Sequence, residues 1–161
     1  RPVAPQNGHF ALRVALHELG QLVDGGLSKE DFETTRDYLM KNVFVMTATQ
    51  DQRLGYALDS QWYGIPEFTG MMRDALSKLS VEQVNAAIKR HLSAKNLSVV
   101  VITKDGAAFK DALVSDAFSG IKYDADKPQS LLDEDKAIGA MKLNIKPEAV
   151  RITPAAQVFA Q

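Results

Sequence analysis

A chain of 161 residues with 45% hydrophobic content is long enough for one ordinary domain with a real core. Its Lys+Arg count of 19 against 20 acidic residues leaves a net charge of -1, without the basic excess of a nucleic-acid binder. The lack of cysteine removes disulfides, thiolate zinc sites and cysteine nucleophiles, and no apolar run approaches the roughly 18 residues that span a bilayer.

The chain opens Arg1-Pro-Val-Ala-Pro, without an initiator methionine or a signal-peptide pattern, and so reads as a piece of a longer polypeptide whose first residues end a strand begun upstream. Residues 9–23 then place Leu12, Ala15, Leu16, Leu19, Leu22 and Val23 on one helical stripe, with Arg13, His17, Gln21 and Asp24 on the opposite, solvated face. Gly25 and Gly26 end that helix. The next begins with Ser28 as N-cap, Asp31 as a weak capping-box partner, and Leu27 and Phe32 spaced as a hydrophobic staple. Phe32, Leu39, Val43 and Met46 form its apolar face.

Thr49 and Gln52 make a second capping box, opening a helix that carries Leu54, Ala57, Leu58 and Trp62. The break Gly64-Ile-Pro66 follows, with Pro66 expected at the first position of a helix that runs to about Leu79. Ser80 and Gln83 form a third box, with Val84, Ala87, Ile88 and Leu92 facing inward. Residues 97–103, Leu-Ser-Val-Val-Val-Ile-Thr, read as a strand buried on both faces. Asp105 is placed to cap a short helix with Phe109, Ala112 and Leu113 inward. Residues 119–136 have no sustained period and read as an irregular connection. Met141, Leu143 and Ile145, then Val150 and Ile152, alternate as two short strands, and residues 155–159 as a terminal helical turn.

The stretch Gly-Leu-Ser-Lys-Glu-Asp-Phe-Glu-Thr-Thr-Arg-Asp-Tyr-Leu, then Arg53-Leu-Gly-Tyr-Ala-Leu-Asp and Tyr63-Gly64, resembles the later part of a domain of the pitrilysin/insulinase family of zinc peptidases, in its shorter bacterial branch. Leu79-Ser-Val-Glu-Gln-Val-Asn-Ala-Ala-Ile-Lys-Arg-His-Leu, followed by Asn96-Leu-Ser-Val-Val-Val-Ile-Thr, is similar to that family's helix leading into a buried strand. The resemblance covers most of residues 8–105. It implies an α+β fold with helices layered on a mainly antiparallel sheet, like one half-domain of the mitochondrial-processing-peptidase/insulinase fold, truncated at its N-terminal side. Residues 1–161 are expected to form a single such domain.

The family's inverted zinc signature, His-x-x-Glu-His, is absent, and of the three histidines His9 and His91 have no second histidine within helical reach. His17-Glu18-Leu19-Gly20-Gln21 falls one residue short of the His-Glu-x-x-His zinc helix, with Gln21 in the second ligand position, and is read as solvated surface. His91 is read as a cation at the negative end of a helix. Arg53 and Tyr56 have the wrong spacing for the family's substrate-gripping Arg-x6-Tyr pair; Arg53 is expected to pair with Asp51 or Asp59, and Tyr56 to be partly buried. Trp62, Tyr63, Phe68, Met71 and Met72 are read as a core cluster.

What the resemblance implies is the non-catalytic, zinc-free C-terminal domain of a zinc metalloendopeptidase, completing the chamber around an extended peptide for a zinc-bearing partner domain. No catalytic or metal-binding residue and no cofactor is expected in this chain, with zinc in the partner and an extracytoplasmic, periplasmic location. A structural or assembly subunit of the same descent is the alternative. An autonomous zinc enzyme using His17 is the weaker third reading.

Overall fold

The computed structural model describes residues 2–158, so Arg1 and Phe159, on which parts of the expected first strand and last helical turn fall, lie outside the described residues. The chain divides into two compact units, one of Arg1–Gln21 with Ala94–Gln161 and one of Leu22–Ser93. Every regular element among the described residues is helical, which overturns the α+β expectation.

In the Leu22–Ser93 unit, α2 (Lys29–Met46), α3 (Gln50–Tyr63), α4 (Phe68–Lys78) and α5 (Val81–His91) follow in order, with α4 packed on α2 and α3. Their starts are locally encoded. Ser28 Oγ accepts the Asp31 N–H at 3.0 Å, and the Thr49–Gln52 and Ser80–Gln83 boxes both close reciprocally. Gly64 ends α3 in the left-handed region at φ 65°, a conformation that favours glycine. Glu67 caps α4, so Pro66 stands one residue before the cap and not at the first helical position. Phe32, Val43, Leu76 and Ile88 supply the buried apolar side chains. Asn85 of α5 takes the Leu27 N–H at 2.8 Å and donates to the Leu27 carbonyl at 3.0 Å, holding the turn before α2. Gly26, at φ 71°, lies so close that an added Cβ would come within 2.7 Å of the Asn85 side chain.

The other unit contains α1 (Gly8–Gly25) up to Gln21, α6 (Gly106–Val114), α7 (Gln129–Ala140) and α8 (Ala155–Val158), with short 3-10 turns at Pro5–Asn7 and Pro147–Ala149. Asp105 caps α6 as expected, accepting the Ala108 N–H at 2.9 Å. Phe10, Leu113 and Ile138 form the small apolar core. Gly139 is buried because the Ser119 carbonyl occupies the space a Cβ would take.

Further expectations are corrected in this unit. Residues 129–136 belong to α7 and not to an irregular connection; Pro128 opens that helix with no side-chain cap to mark it. On α1 the fully buried residues are Phe10 and Arg13, so a residue expected on the solvated face is at the centre of the unit. Residues 97–103, expected inside a sheet, are exposed throughout: Val100 is 89% and Ile102 98% exposed. No backbone–backbone hydrogen bond joins them to another described residue. A β-strand exists only as part of a ladder, and β-branched residues favour strands by packing on a pleated neighbour. Without that neighbour the same residues are an open extended segment. Residues 141–145 keep the alternation read from their sequence, half-buried at Met141, Leu143 and Ile145 and exposed between, but also without a ladder.

Candidate functional site

A shallow cleft of about 460 Å³ lies where the end of α2, the middle of α3 and the start of α4 meet; its walls include Thr47, Arg53, Tyr56, Ser60, Glu67 and Phe68. Helical spacing explains the α3 wall, because Arg53, Tyr56 and Ser60 follow at intervals of three and four and so share a face. The left-handed Gly64 turns the chain back, and the Ile65 N–H closes that turn on the Ser60 carbonyl at 3.0 Å. The turn brings Phe68 flat against Tyr56, with ring centroids 3.9 Å apart and planes at 8°. This stacked pair is the apolar floor.

The polar groups of the cleft differ in their occupancy. Both oxygens of Glu67 are engaged, accepting N–H bonds from Thr69 at 2.9 Å and Gly70 at 2.7 Å. These bonds, the one from Gly70 foremost, hold the carboxyl below its ordinary pKa and keep it ionised. Arg53 is exposed and makes no ion pair with any described residue, so the expected pairing with Asp51 or Asp59 does not form. Tyr56 is half-buried, as its sequence context implied. Ser60 is buried, and its Oγ has no hydrogen-bond partner. No histidine or cysteine is among the lining residues of the cleft. The core reading of Trp62 and Tyr63 is corrected as well: they are 84% and 69% exposed, while Phe68, Met71 and Met72 are half-buried.

A second polar centre is Arg13. Its Nε donates to the Met141 carbonyl at 2.8 Å, and one terminal nitrogen donates to Ser119 Oγ at 2.9 Å and meets the His9 ring at 3.3 Å. The other terminal nitrogen faces Asp116 at 3.8 Å. Asp116, at a positive φ of 49°, turns its carboxylate onto the Leu143 and Asn144 amides at 2.7 and 3.2 Å. Those bonds, that from Leu143 first, hold it below the usual carboxylate range. His9 sits edge-on to Phe109, and burial, reinforced by the Arg13 charge, lowers its pKa. The arrangement fastens α1 to the segments after α6 and α7, which is a structural task.

A third grouping unites His17 and Glu18 of α1 with Glu134 of α7, their ligand atoms all within 4.8 Å of one another. Sequence reasoning singled out His17 but missed Glu134, which lies on the helix it had read as irregular. Three donors are the usual complement of a hydrolytic zinc site. Here none of the three side chains has a hydrogen bond or ion pair to orient it among the described residues, and both carboxylates are exposed. The group contains one histidine, so the residues present do not fit the two-histidine signature of the resembled family. His91 ends α5, exposed beside Lys89 and Arg90.

No helix among the described residues is long and apolar enough to cross a membrane. No family model matches the chain, and neither a curated protein nor a solved structure matches it.

Proposed function

We propose that this chain is the zinc-free half of a pitrilysin/insulinase-type peptidase, a wall of a peptide chamber whose metal-bearing half is another domain or subunit, in an extracytoplasmic bacterial setting. The observation that carries this reading is the open segment at residues 97–103, with Val100 and Ile102 almost wholly exposed. A contiguous β-branched run with free backbone donors and acceptors is a surface that folded proteins cover with a partner or an extended peptide. The capped helices of the Leu22–Ser93 unit, in the order that carries the family resemblance, support the same reading.

In this reading the metal, when bound in the partner half, supplies the activated water. The residues of this chain contribute apolar contact, backbone hydrogen bonds and exclusion of bulk water, so their effect is on positioning. The test is to express the zinc-bearing half with and without this chain and assay an extended peptide in the presence of zinc. Activity should rise with the native chain and fall back with Val100→Asp, a substitution that should leave the fold intact because the position is exposed. Unchanged activity with a stable complex points to an assembly subunit instead. Stoichiometric zinc held by this chain alone, with peptidase activity lost in His17→Ala, overturns the reading.

A further inference from the structure

We propose that the outward face of α3 is the contact surface of a homodimer, in which two copies of this chain pack their Leu54, Leu58 and Trp62 ridges antiparallel about a twofold axis at Leu58. The inference uses the Leu22–Ser93 unit alone and stands whether or not the chain has a zinc-bearing partner.

The orientation of α3 carries it. Tyr56 and Ser60 lie on the side toward α4, where Ser60 is buried and Tyr56 is stacked on Phe68. Half a turn round the helix, Leu54, Leu58 and Trp62 follow at steps of four and form one continuous ridge. They are 60%, 56% and 84% exposed. The helix thus buries a hydroxyl and shows its largest aliphatic side chains and its tryptophan to solvent, the reverse of a helix lying on the surface of a monomer. Apolar residues exposed singly are ordinary. Three in register on one helix, the only tryptophan of the chain among them, mark an interaction surface.

A second copy is the occupant that the ridge fits. A ridge of i, i+4 positions packs into the matching groove of an identical helix, the commonest way in which helices cross, and a twofold axis requires a self-complementary patch. With Leu58 on the axis, Leu54 of one protomer meets Trp62 of its partner. An open hollow between Leu58, Asp59, Gln61 and Trp62 receives that leucine. Gly55 stands beside the ridge with no atom within 4 Å of the place a Cβ would take, which leaves room for the indole of the other copy. The acidic groups nearest the ridge, Asp51 and Asp59, come opposite Ile65 and Ala57 of the other copy, so no like charges are forced together.

The area is sufficient. A tryptophan side chain presents up to about 250 Å², so Trp62 at 84% exposure and the two half-exposed leucines together offer about 400 Å² per copy. Two copies bury about 800 Å² of apolar surface, and at the roughly 65% apolar share of homodimer interfaces that implies about 1,200 Å² in all. This is the lower limit of specific, stable interfaces and sets a dissociation constant in the micromolar range.

The experiment is sedimentation equilibrium of the full chain from about 1 to about 300 µM, which brackets micromolar association, with Trp62 emission read at each concentration. The mass should rise from 17.7 kDa toward twice that value, and the emission should shift to the blue in step because the tryptophan lies in the contact. Leu58→Asp brings two carboxylates together on the axis and should weaken the dimer at least about tenfold, with its helical signal kept at this exposed site. Leu58→Cys introduces the one thiol of the chain, which oxidised glutathione should convert to a disulfide-linked dimer. If Leu58→Asp loses its helical signal, the emission shift of the native chain and the cross-link decide the same point. A monomer across the whole range overturns the proposal, as does a dimer that Leu58→Asp leaves intact. A dimer lost in Val100→Asp but kept in Leu58→Asp places the contact at residues 97–103 and equally overturns it.

Discussion

Replacing Arg13 by methionine keeps most of the side-chain volume and removes every polar contact it makes. The guanidinium is 0% exposed and donates to the Met141 carbonyl at 2.8 Å and to Ser119 Oγ at 2.9 Å. Hydrogen bonds to a charged group contribute about 1.5–3 kcal/mol each. Two of them set a gross loss of about 3–6 kcal/mol, which the better burial of methionine partly offsets, so about 3 kcal/mol is the expected net destabilisation. The pairing with Asp116 adds little to this, being long at 3.8 Å and having the Leu143 and Asn144 amides as alternatives. With a urea slope of about 2 kcal/mol per molar, the midpoint should fall by about 1.5 M. The single tryptophan, Trp62, lies in the other unit and is largely exposed, so its fluorescence is a poor reporter of this change. Far-UV circular dichroism, with hydrogen exchange at Leu143 and Asn144, is the suitable assay. A midpoint within error of the native protein, with unchanged exchange at those two amides, would show that Arg13 does not hold the segments after α6 and α7.

Ser80→Ala should cost about 1 kcal/mol, read as a lower denaturant midpoint, since the α5 capping box is closed in both directions. Gly139→Ala should cost at least about 2 kcal/mol, because its Cβ would be forced into the Ser119 carbonyl; an unchanged thermal melt contradicts that packing. Val100→Asp, which a sheet interior would not tolerate, should stay within about 0.5 kcal/mol at this exposed site, and a chain that fails to fold would return the segment to a buried position. Acid should weaken the unit in two stages. His9 has a folded pKa below its ordinary 6.5, so the stability tied to its neutral form is present above that value and lost as pH falls through and below it. Asp116 acts later: its lowered pKa gives stability that is present above its ordinary 3.8 and lost as pH falls below that value. The His9→Gln variant should lack the first stage and Asp116→Asn the second, in melts recorded across pH.

What was legible in the sequence is what is decided within four residues along the chain. Ser28, Thr49, Ser80 and Asp105 cap the helices they were read to cap, because a cap needs only its own side chain and the next turn. Arg13 was misplaced because a helical wheel sends every charge to solvent, while its partners Ser119 and Met141 are 106 and 128 residues away. The segment at residues 97–103 was misread for a related reason: its composition encodes a preference for a ladder, and no described residue forms one with it. The α7 helix carries no capping side chain, so its acidic first half passed for a loop. At the cleft, Tyr56 and Arg53 had been noted, but Ser60 and the stacking on Phe68 depend on the turn at Gly64, which reverses the chain by an amount no local pattern specifies.

The most direct measurement of the partner-half reading is hydrogen exchange across residues 97–103, in the chain alone and with a candidate zinc-bearing half added. Alone, these amides have no backbone partner among the described residues and should exchange at nearly the rate of an unstructured peptide. In the complex the account predicts strong protection that follows the gain in peptidase activity on titration. Full activity of the zinc half with these amides still exchanging freely would contradict it.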